Sequence, residues 1–449
     1  MNVRGTRSTS TSSQPSTVDE WLRWLETLHP KTIDLGLKRV RTVLNTLSLQ
    51  EPSYRVIIIG GTNGKGSCVA FLESIYREAG FHVGSFTSPH LWRFNERLRF
   101  NGAEVADDTL IELFEIINEA RGEVTLSYFE YSTLAALLHF VRSGAEVALL
   151  EVGLGGRLDA VNVMDSDASL VTSVSLDHQT WLGTTREVIG HEKAGIMRHA
   201  CPAIIADRDS PISLMTHANR VGALVEQIGR EFDYELDGEQ WCYRGRGGGL
   251  RLGLPRPAFG GEEQLSNAAG CLAVIEALKK ILPVDSGALF RGLENARLGG
   301  RMERRDINAV QWIFDVAHNP AAASVLAKEL SQHPVAGRTL GVVAMMDDKD
   351  CSGILAPLMP LIDEWLVTQT GEDRDALPTV LVETLGAGVL STVCLDIEAA
   401  CELARLNSEP GDRIVVFGSF YLVGPAMLAL GLYSAPSQSS ELTAKWTGV

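Results

Sequence analysis

Short apolar runs alternate with amphipathic segments along most of this 449-residue chain. The run EVALLEVG at residues 146–153 is apolar without a two-residue alternation, which is typical of a strand buried on both faces. The segment at residues 66–80 instead places its apolar residues on one helical stripe, and Gly80 is a natural stop. After residue 304 the same alternation starts again. This pattern predicts parallel sheets covered by helices, in two domains.

Changes in composition suggest where these regions begin and end. Residues 222–260 contain three short segments separated by glycine, which predict a small antiparallel sheet. The segment RLGGRMER at residues 297–304 predicts a glycine-containing link between the domains. We expect the Ser- and Thr-rich residues 1–17 to form a disordered tail, because they lack the apolar core of a secretory signal. The first domain then covers residues 18–297 and the second covers residues 298–449.

The formal net charge of −16 at pH 7 argues against general nucleic-acid binding, which requires a basic surface. An anionic substrate would therefore need a local cation or a metal at its site. The seven cysteines are scattered and form no C-x-x-C pair, so we expect reduced thiols and a cytoplasmic location. The chain has no run of about 18 apolar residues, so we expect no membrane span.

The stretch RVIIIGGTNGKGS, at residues 55–67, joins an apolar run to a glycine-rich turn that carries Lys65. Glycines let several backbone N–H groups face one anion, and the start of a following helix adds a positive dipole. The strict pattern G-x-x-x-x-G-K-[ST] is not met, because Ile59 and Gly66 replace its first glycine and its hydroxyl residue. The alternative is an ordinary strand–turn–helix. We favour a phosphate loop, and hence an α/β fold with an N-terminal P-loop-type ATPase domain of mainly parallel sheet and a smaller, Rossmann-like C-terminal domain.

Acidic and imidazole side chains follow other predicted strands of the first domain. Glu151 ends one strand, and Asp177 and His178 follow the next. Because sites in parallel sheets form at the carboxyl ends of strands, we expect these residues to lie near Lys65. A carboxylate and an imidazole beside a phosphate loop suit a divalent cation that bridges nucleotide phosphates. The structural alternatives are a buried hydrogen-bonded carboxylate for Glu151 and a turn residue for His178.

Some stretches allow more than one interpretation. Residues 87–102 have neither a helical nor a strand period and mix arginine with aromatic residues, which predicts a binding loop or an exposed solvated loop. Lys193 lies in a helical pattern, where chemistry alone indicates a solvated side chain. In the second domain, polar residues that follow strands suit either simple turns or a nucleotide cleft between the domains. These residues are Asp315, His318, Asn319 and the segment 348–350.

A series of sequence blocks provides a more specific indication. The blocks are TIDLGL at 32, GTNGKGS at 61, TSPHL at 87, YFEYSTLAAL at 128, EVGLGGRLDA at 151, LDH at 176, EKAGI at 192, GRME at 300, DVAHNP at 315, DKD at 348 and GSF at 418. In this order they resemble the folylpolyglutamate synthase and dihydrofolate synthase family, the folate branch of the ligases that include the muramyl peptide ligases. The resemblance covers about residues 21–423.

The resemblance implies an ATP-dependent amide ligase of folate biosynthesis. In such an enzyme ATP phosphorylates a folate-type carboxylate, and the amine of L-glutamate displaces the phosphate. RLDA at residues 157–160 resembles bifunctional members, so we expect dihydrofolate synthase activity on dihydropteroate, folylpolyglutamate synthase activity on reduced folates, and a monomer. The alternatives are a folylpolyglutamate synthase alone, a muramyl-type peptide ligase, and a P-loop kinase or switch protein.

The resemblance also implies roles for individual positions. Lys65, Lys193 and His318 match catalytic positions, and Lys193 matches a lysine that becomes carbamylated. ATP would be bound together with Mg²⁺ at two sites. The nucleotide-binding positions are Thr62, Asn63, Gly64, Lys65, Asn267, Arg301 and Asp315, and the Mg²⁺ ligands are Ser88, Glu151 and His178. The pterin-binding positions are Thr32, Ile33, Asp34, Leu35, Ser127, Tyr128, Phe129, Glu130, Leu158, Asp159 and Ala160.

Two positions depart from the family pattern. Val161 stands where threonine is usual, which changes the hydrogen bonding expected at the pterin loop. Glu263 stands where many members have histidine before Gln264, on the side expected to face adenine.

Overall fold

Two separate sheets with helices on both faces organise the chain in the computed structural model, which describes residues 15–31, 33–238, 240–257 and 259–432. The predicted α/β fold is confirmed. Thr32 and most of the predicted tail lie outside the described residues. No helix within the described ranges is long and apolar enough to cross a membrane.

The first sheet contains eight strands. In chain order they are β1 Arg55–Gly60, β2 Val83–Phe86, β3 Leu98–Phe100, β4 Ala103–Glu104, β5 Val147–Glu151, β6 Ala168–Val171, β7 Pro202–Ile205 and β8 Leu224–Gln227. Their order across the sheet is β4-β3-β2-β5-β1-β6-β7-β8, and the pairs β2–β3 and β3–β4 are antiparallel while the other pairs are parallel. The carboxyl ends of β1, β5 and β6 therefore lie together at one edge of the sheet.

Side chains alternate between the two faces of this sheet along its buried strands, so both faces are apolar. Helices cover both of them. Ile57 and Ile59 of β1 belong to one apolar cluster, whereas Val56 and Ile58 belong to the other. The helices of this half are α1 Val18–Leu28, α2 Lys38–Thr46, α3 Lys65–Glu78, α4 Asp107–Arg121, α5 Tyr128–Ser143, α6 Gln179–Leu182, α7 Arg186–Ala194, α8 Ile212–Val221, α9 Glu263–Leu278 and α10 Ser286–Asn295.

The first helix begins one residue after the end of the predicted tail. Thr17 caps α1, since its Oγ1 accepts a hydrogen bond from the N–H of Glu20 at 3.2 Å. Trp21 and Leu25 of α1 are buried in the first apolar cluster. The ordered helix therefore starts at Val18, with the exposed Thr17 as its N-cap.

The segment at residues 87–102 is more regular than predicted. A short 3₁₀ helix, Phe94–Arg97, leads into β3 and then β4, which extend the sheet edge in antiparallel fashion. The prediction of a loop along this whole segment was wrong, because β3, the strand that lies within it, has three residues and is too short to show a period. Arg99 also has a structural partner, since its Nε donates to Oε2 of Glu73 at 3.2 Å.

The small antiparallel sheet predicted within residues 222–260 is confirmed. Its strands are β9 Asp233–Asp237, β10 Gln240–Arg244 and β11 Leu250–Pro255, in the order β11-β10-β9. Trp241 and Tyr243 of β10 are buried in the same apolar cluster as α9. This sheet therefore packs on the helix that follows it.

The second sheet has six strands and starts with an antiparallel hairpin. The strands are β12 Glu303–Ile307, β13 Val310–Asp315, β14 Thr339–Val343, β15 Glu364–Val367, β16 Ser391–Val393 and β17 Arg413–Phe417, in the order β12-β13-β17-β14-β15-β16. All pairs except β12–β13 are parallel. The helices that cover it are α11 Pro320–Gln332, α12 Cys351–Leu355, α13 Pro378–Leu385, α14 Ile397–Asn407 and α15 Phe420–Ala429.

Candidate active site

A cavity of about 730 Å³ lies where the loops of the two sheets meet. Its walls come from segments that follow β1, β5 and β6 of the first sheet and β13, β14 and β17 of the second. Every described residue to which the resemblance assigns a role lines this cavity except Tyr128. The ring of Tyr128 instead contacts Phe94, at 5.8 Å between centroids, and lies under the guanidinium of Arg97. Thr32 lies outside the described residues.

The predicted phosphate loop has the expected strand–loop–helix geometry. β1 ends at Gly60, and α3 begins at Lys65. Gly61 and Gly64 have φ values of 142° and 88°, which favour glycine. A Cβ at Gly61 would overlap the side chain of Thr172, and a Cβ at Gly64 would lie 2.5 Å from Oδ1 of Asn267. The loop is therefore packed too closely on its neighbours for larger residues.

Two lysine side chains meet at this loop. Nζ of Lys65 donates to the carbonyl oxygens of Gly61 and Thr62 at 3.2 and 3.0 Å, and Nζ of Lys193 donates to the same Gly61 oxygen at 2.6 Å. Lys193 is only 3% exposed. Burial, together with the charge of Lys65, lowers the pKa of Lys193 to about 7. The site therefore holds an amine that is partly neutral at neutral pH.

The prediction that Lys193 is a solvated residue was wrong. Helix α7 buries Ile189 and Gly190 together with Lys193 and Ala194. Lys193 lies four residues after Ile189, so the two share one face of the helix. The position of Lys193 on the apolar face of the helix was the sequence signal that would have predicted its burial.

Glu151 is a buried carboxylate close to the start of α3. Its Oε2 accepts a hydrogen bond from the backbone N–H of Ser88 at 3.1 Å and lies 3.7 Å from the position of a Cβ on Gly66. Burial raises the pKa of Glu151, although the positive charge of Lys65 acts in the opposite direction. Glu151 is therefore the buried, hydrogen-bonded carboxylate of the structural alternative, and it also lines the cavity.

The predicted Mg²⁺ ligands supply a small donor set. Ser88 and Glu151 offer oxygens, and burial lowers the pKa of His178 to about 4, which leaves its imidazole neutral and able to act as a ligand. Within the described ranges, no three His, Cys, Asp or Glu residues form a cluster suited to a metal ion. The chain's donors therefore fit a cation that completes its coordination with phosphate oxygens and water, as Mg²⁺ commonly does.

Asp177 links the loop before α6 to the loops of the second sheet. Its Oδ1 accepts from Nζ of Lys349 at 2.8 Å, and its Oδ2 accepts from Nδ2 of Asn319 at 3.2 Å. Nε2 of His318 lies 3.6 Å from the same Oδ2. Burial alone would raise the pKa of Asp177, but the nearby imidazole of His318 and the positive charge of Lys349 hold it well below its usual range. The sequence placed Asp177 near Lys65 and put Lys349 in a segment suited to a turn or a nucleotide cleft, but it assigned neither residue a specific ligand.

The nucleotide-binding positions predicted in the second domain form a compact group. Oδ2 and Oδ1 of Asp315 accept hydrogen bonds from the N–H groups of Met302 and Ala317, both at 2.8 Å. Burial lowers the pKa of Arg301 and raises that of Asp315, while each charge partly offsets the shift of the other. The guanidinium of Arg301 stacks 5.0 Å from the ring centroid of Phe420. Asp315 therefore joins the residues before β12 to those after β13, as well as balancing a buried cation.

The first turn of α9 lines the cavity near the phosphate loop. Nδ2 of Asn267 donates to Oε1 of Gln264 at 3.0 Å, and Asn267 packs on Gly64. Glu263 lines the same wall, and its Oε1 accepts from the N–H of Gly261 at 3.0 Å. Burial raises the pKa of Glu263. The carboxylate of Glu263, at the position where the resemblance implies histidine, is thus held in the cavity wall.

The carboxylate of Asp159, a predicted pterin position, has a structural role. Its carboxylate accepts hydrogen bonds from the N–H groups of Leu154 at 2.8 Å and Val161 at 3.0 Å. Burial raises the pKa of Asp159 to about 7, although these backbone hydrogen bonds oppose the shift. Val161 contributes its backbone here and buries its side chain, so this contact does not depend on a threonine hydroxyl.

The other predicted pterin positions are held by local contacts. Ser127 and Glu130 form a capping box at the start of α5, and Glu130 also pairs with Arg39 at 3.1 Å. Arg39 in turn bonds Asp34. The ring of Phe129 packs against Gly153, where a Cβ would lie 2.7 Å from it. These contacts preorganise one end of the cavity.

Comparison with known proteins identifies the family. Residues 300–420 match the family model described as Mur ligase, glutamate ligase domain. Over 417 residues, covering 93% of this chain and 96% of the relative, the chain is 40% identical to the dihydrofolate synthase/folylpolyglutamate synthase of Escherichia coli K12. The chain belongs to the dihydrofolate synthase/folylpolyglutamate synthase family. The resemblance in the sequence blocks is confirmed.

Solved structures of dihydrofolate synthase/folylpolyglutamate synthases share this fold. The match to Escherichia coli FolC in complex with DHPP and ADP has a TM-score of 0.88 at 39% identity. It covers 93% of this chain and 98% of the FolC chain. The match to the bifunctional enzyme of Yersinia pestis, complexed with AMPPNP and Mn ion, has a TM-score of 0.87 at 38% identity. It covers 94% of this chain and 100% of the Yersinia pestis chain. The similarity therefore extends over both sheets.

Proposed function

We propose that this chain is an ATP-dependent amide ligase that adds L-glutamate to dihydropteroate and to reduced folates. The observation that carries the proposal is the cavity in which the phosphate loop, with Lys65 and Lys193, faces the loops of a glutamate ligase domain. We assign ATP and pterin binding to residues 18–297 and the glutamate ligase part to residues 298–449.

The reaction consists of a phosphoryl transfer followed by an acyl transfer. The γ-phosphoryl group of ATP passes to an oxygen of the folate-type carboxylate, and ADP leaves. The amine of L-glutamate then attacks the acyl carbon, phosphate leaves, and the amine loses a proton. A free carboxylate is a poor acyl donor, so the phosphate provides the leaving group. Lys65 would offset the negative charge that develops on the transferred phosphoryl group.

The metal part of the proposal rests on the chemistry of the donors. Ser88, Glu151 and His178 would hold Mg²⁺, and a carbamylated Lys193 would add a further anionic ligand. When bound at two sites, these ions would supply charge neutralisation and align the phosphates. Carbamylation requires a neutral amine, which attacks CO₂ and releases a proton. The lowered pKa of Lys193 supports this step.

Phosphate release with Mg-ATP and L-glutamate tests the proposal, with dihydropteroate in one assay and tetrahydrofolate in another. Release with both substrates is expected. Release with tetrahydrofolate alone would reduce the function to folylpolyglutamate synthase, and release with dihydropteroate alone to dihydrofolate synthase. ATP turnover that is independent of L-glutamate would contradict the ligase and favour a kinase or switch protein.

A further inference from the structure

The loops of the two sheets meet at the carboxylate of Asp177. This carboxylate accepts hydrogen bonds from Lys349 and Asn319, at 2.8 and 3.2 Å, and His318 lies 3.6 Å away. Asn319 also exchanges two hydrogen bonds with Asn63 of the phosphate loop, at 3.1 and 2.9 Å. One carboxylate of the first sheet therefore contacts three residues that follow strands of the second sheet, and one of these also contacts the phosphate loop.

The ion pair between Asp177 and Lys349 is buried, since each side chain is only 9% exposed. Desolvation of two charges offsets much of their attraction, so such a pair adds little net stability to a fold. Removal of one partner, however, leaves the other charge uncompensated. The pair is thus better suited to fixing the position of Lys349 than to stabilising the protein.

Lys349 has a second acidic neighbour that would compete for it. Oδ2 of Asp348 lies 3.6 Å from its Nζ, and the Asp348 side chain is more exposed than that of Asp177. Without the carboxylate of Asp177, the ammonium group would turn toward Asp348. Lys349 and His318 both line the cavity, so their positions bear directly on what the cavity binds.

We propose that Asp177 is a positioning residue for the amine-donating half of the reaction. It holds Lys349, Asn319 and His318 beside the phosphate loop, so that the incoming amino acid is presented to the acyl phosphate. This role rests on the proposed function, because it concerns the binding of L-glutamate in the same cavity.

The variant Asp177→Asn keeps the size of the side chain and removes its charge. We expect the KM for L-glutamate to rise by at least about 10-fold, which corresponds to ~1.4 kcal/mol. The KM for ATP and the affinity for Mn²⁺ should stay within about 2-fold, which separates loss of positioning from loss of the nucleotide or metal site. An unchanged KM for L-glutamate, or equal losses for ATP and L-glutamate, would overturn the proposal.

Glu329→Gln is the matched control. Glu329 is another buried carboxylate, 4% exposed, and its Oε1 accepts from the N–H of Glu262 at 3.3 Å, between the same two parts of the chain. It does not line the cavity. This variant should leave the KM for L-glutamate unchanged, whatever it does to stability.

A double-mutant cycle separates this inference from the proposed function. If Asp177 acts through Lys349, then Asp177→Asn combined with Lys349→Met should raise the KM for L-glutamate no further than Lys349→Met alone. The same cycle on the free energy of unfolding of the ligand-free protein should also show coupling. Independent effects in either measurement would overturn the inference. A wild-type protein without L-glutamate-dependent phosphate release would instead refute the proposed function, while the unfolding cycle would still decide whether the contact exists.

Discussion

Replacement of the buried Lys193 should make the protein more stable and inactive. Burial lowers the pKa of this lysine from 10.5 to about 7. One pKa unit corresponds to about 1.36 kcal/mol, so the environment of the ammonium destabilises the folded state by at most ~5 kcal/mol. Methionine has a similar length and no charge, but it loses the hydrogen bond to Gly61. We therefore expect Lys193→Met to raise the free energy of unfolding by ~1–3 kcal/mol at about pH 7, with loss of ligase turnover.

The pH dependence of this difference follows from the protons bound by each state. Above about pH 7 and up to the ordinary value of 10.5, the unfolded wild-type chain binds a proton at Lys193 that the folded chain does not. The free energy of unfolding of the wild type therefore increases as the pH rises. This group contributes at most about 1.4 kcal/mol per pH unit to that increase. Below about pH 7 both states are protonated, so the advantage of the variant is greatest there and shrinks as the pH rises.

Urea unfolding of the ligand-free proteins at about pH 7 and about pH 9, in buffer depleted of CO₂, measures both effects. Depletion of CO₂ is needed because a carbamate would remove the charge in question. Lys280→Met makes the same change on an exposed helix-end residue and should alter stability by less than about 0.5 kcal/mol. The reasoning fails if Lys193→Met is less stable than the wild type at about pH 7, or if its advantage is the same at both pH values.

Three further variants test other parts of the cavity. Lys65→Ala should abolish phosphate release with little change in thermal unfolding, and wild-type turnover would exclude the phosphate-loop assignment. Asp159→Ala should impair turnover of dihydropteroate more than that of tetrahydrofolate; equal loss would count against a pterin contact. Gly61→Ala should destabilise the protein by ~1–3 kcal/mol, because its Cβ overlaps Thr172, whereas Gly388→Ala has open space and should change the melting temperature little.

The elements that the sequence predicted well are those with a long and regular pattern. The strand, glycine-rich turn and helix around Lys65 were placed correctly. Burial on one face imposes a period on ten or more residues, so the pattern survives in the sequence. The short strand β3 within residues 87–102 carries no such pattern, because its pairing depends on the neighbouring strand β2.

The sequence by itself determined the fold class, the family and most residues of the cavity, because local periodicity and ordered motifs are written along the chain. Only the tertiary structure decided the environments of those residues. It placed Lys193 against Gly61, turned Tyr128 toward Phe94 and joined Asp177 to Lys349, 172 positions away in sequence. Charge, burial and hydrogen bonding arise from neighbours that packing brings together, and a pattern of residue types along one chain does not specify which distant side chains will meet.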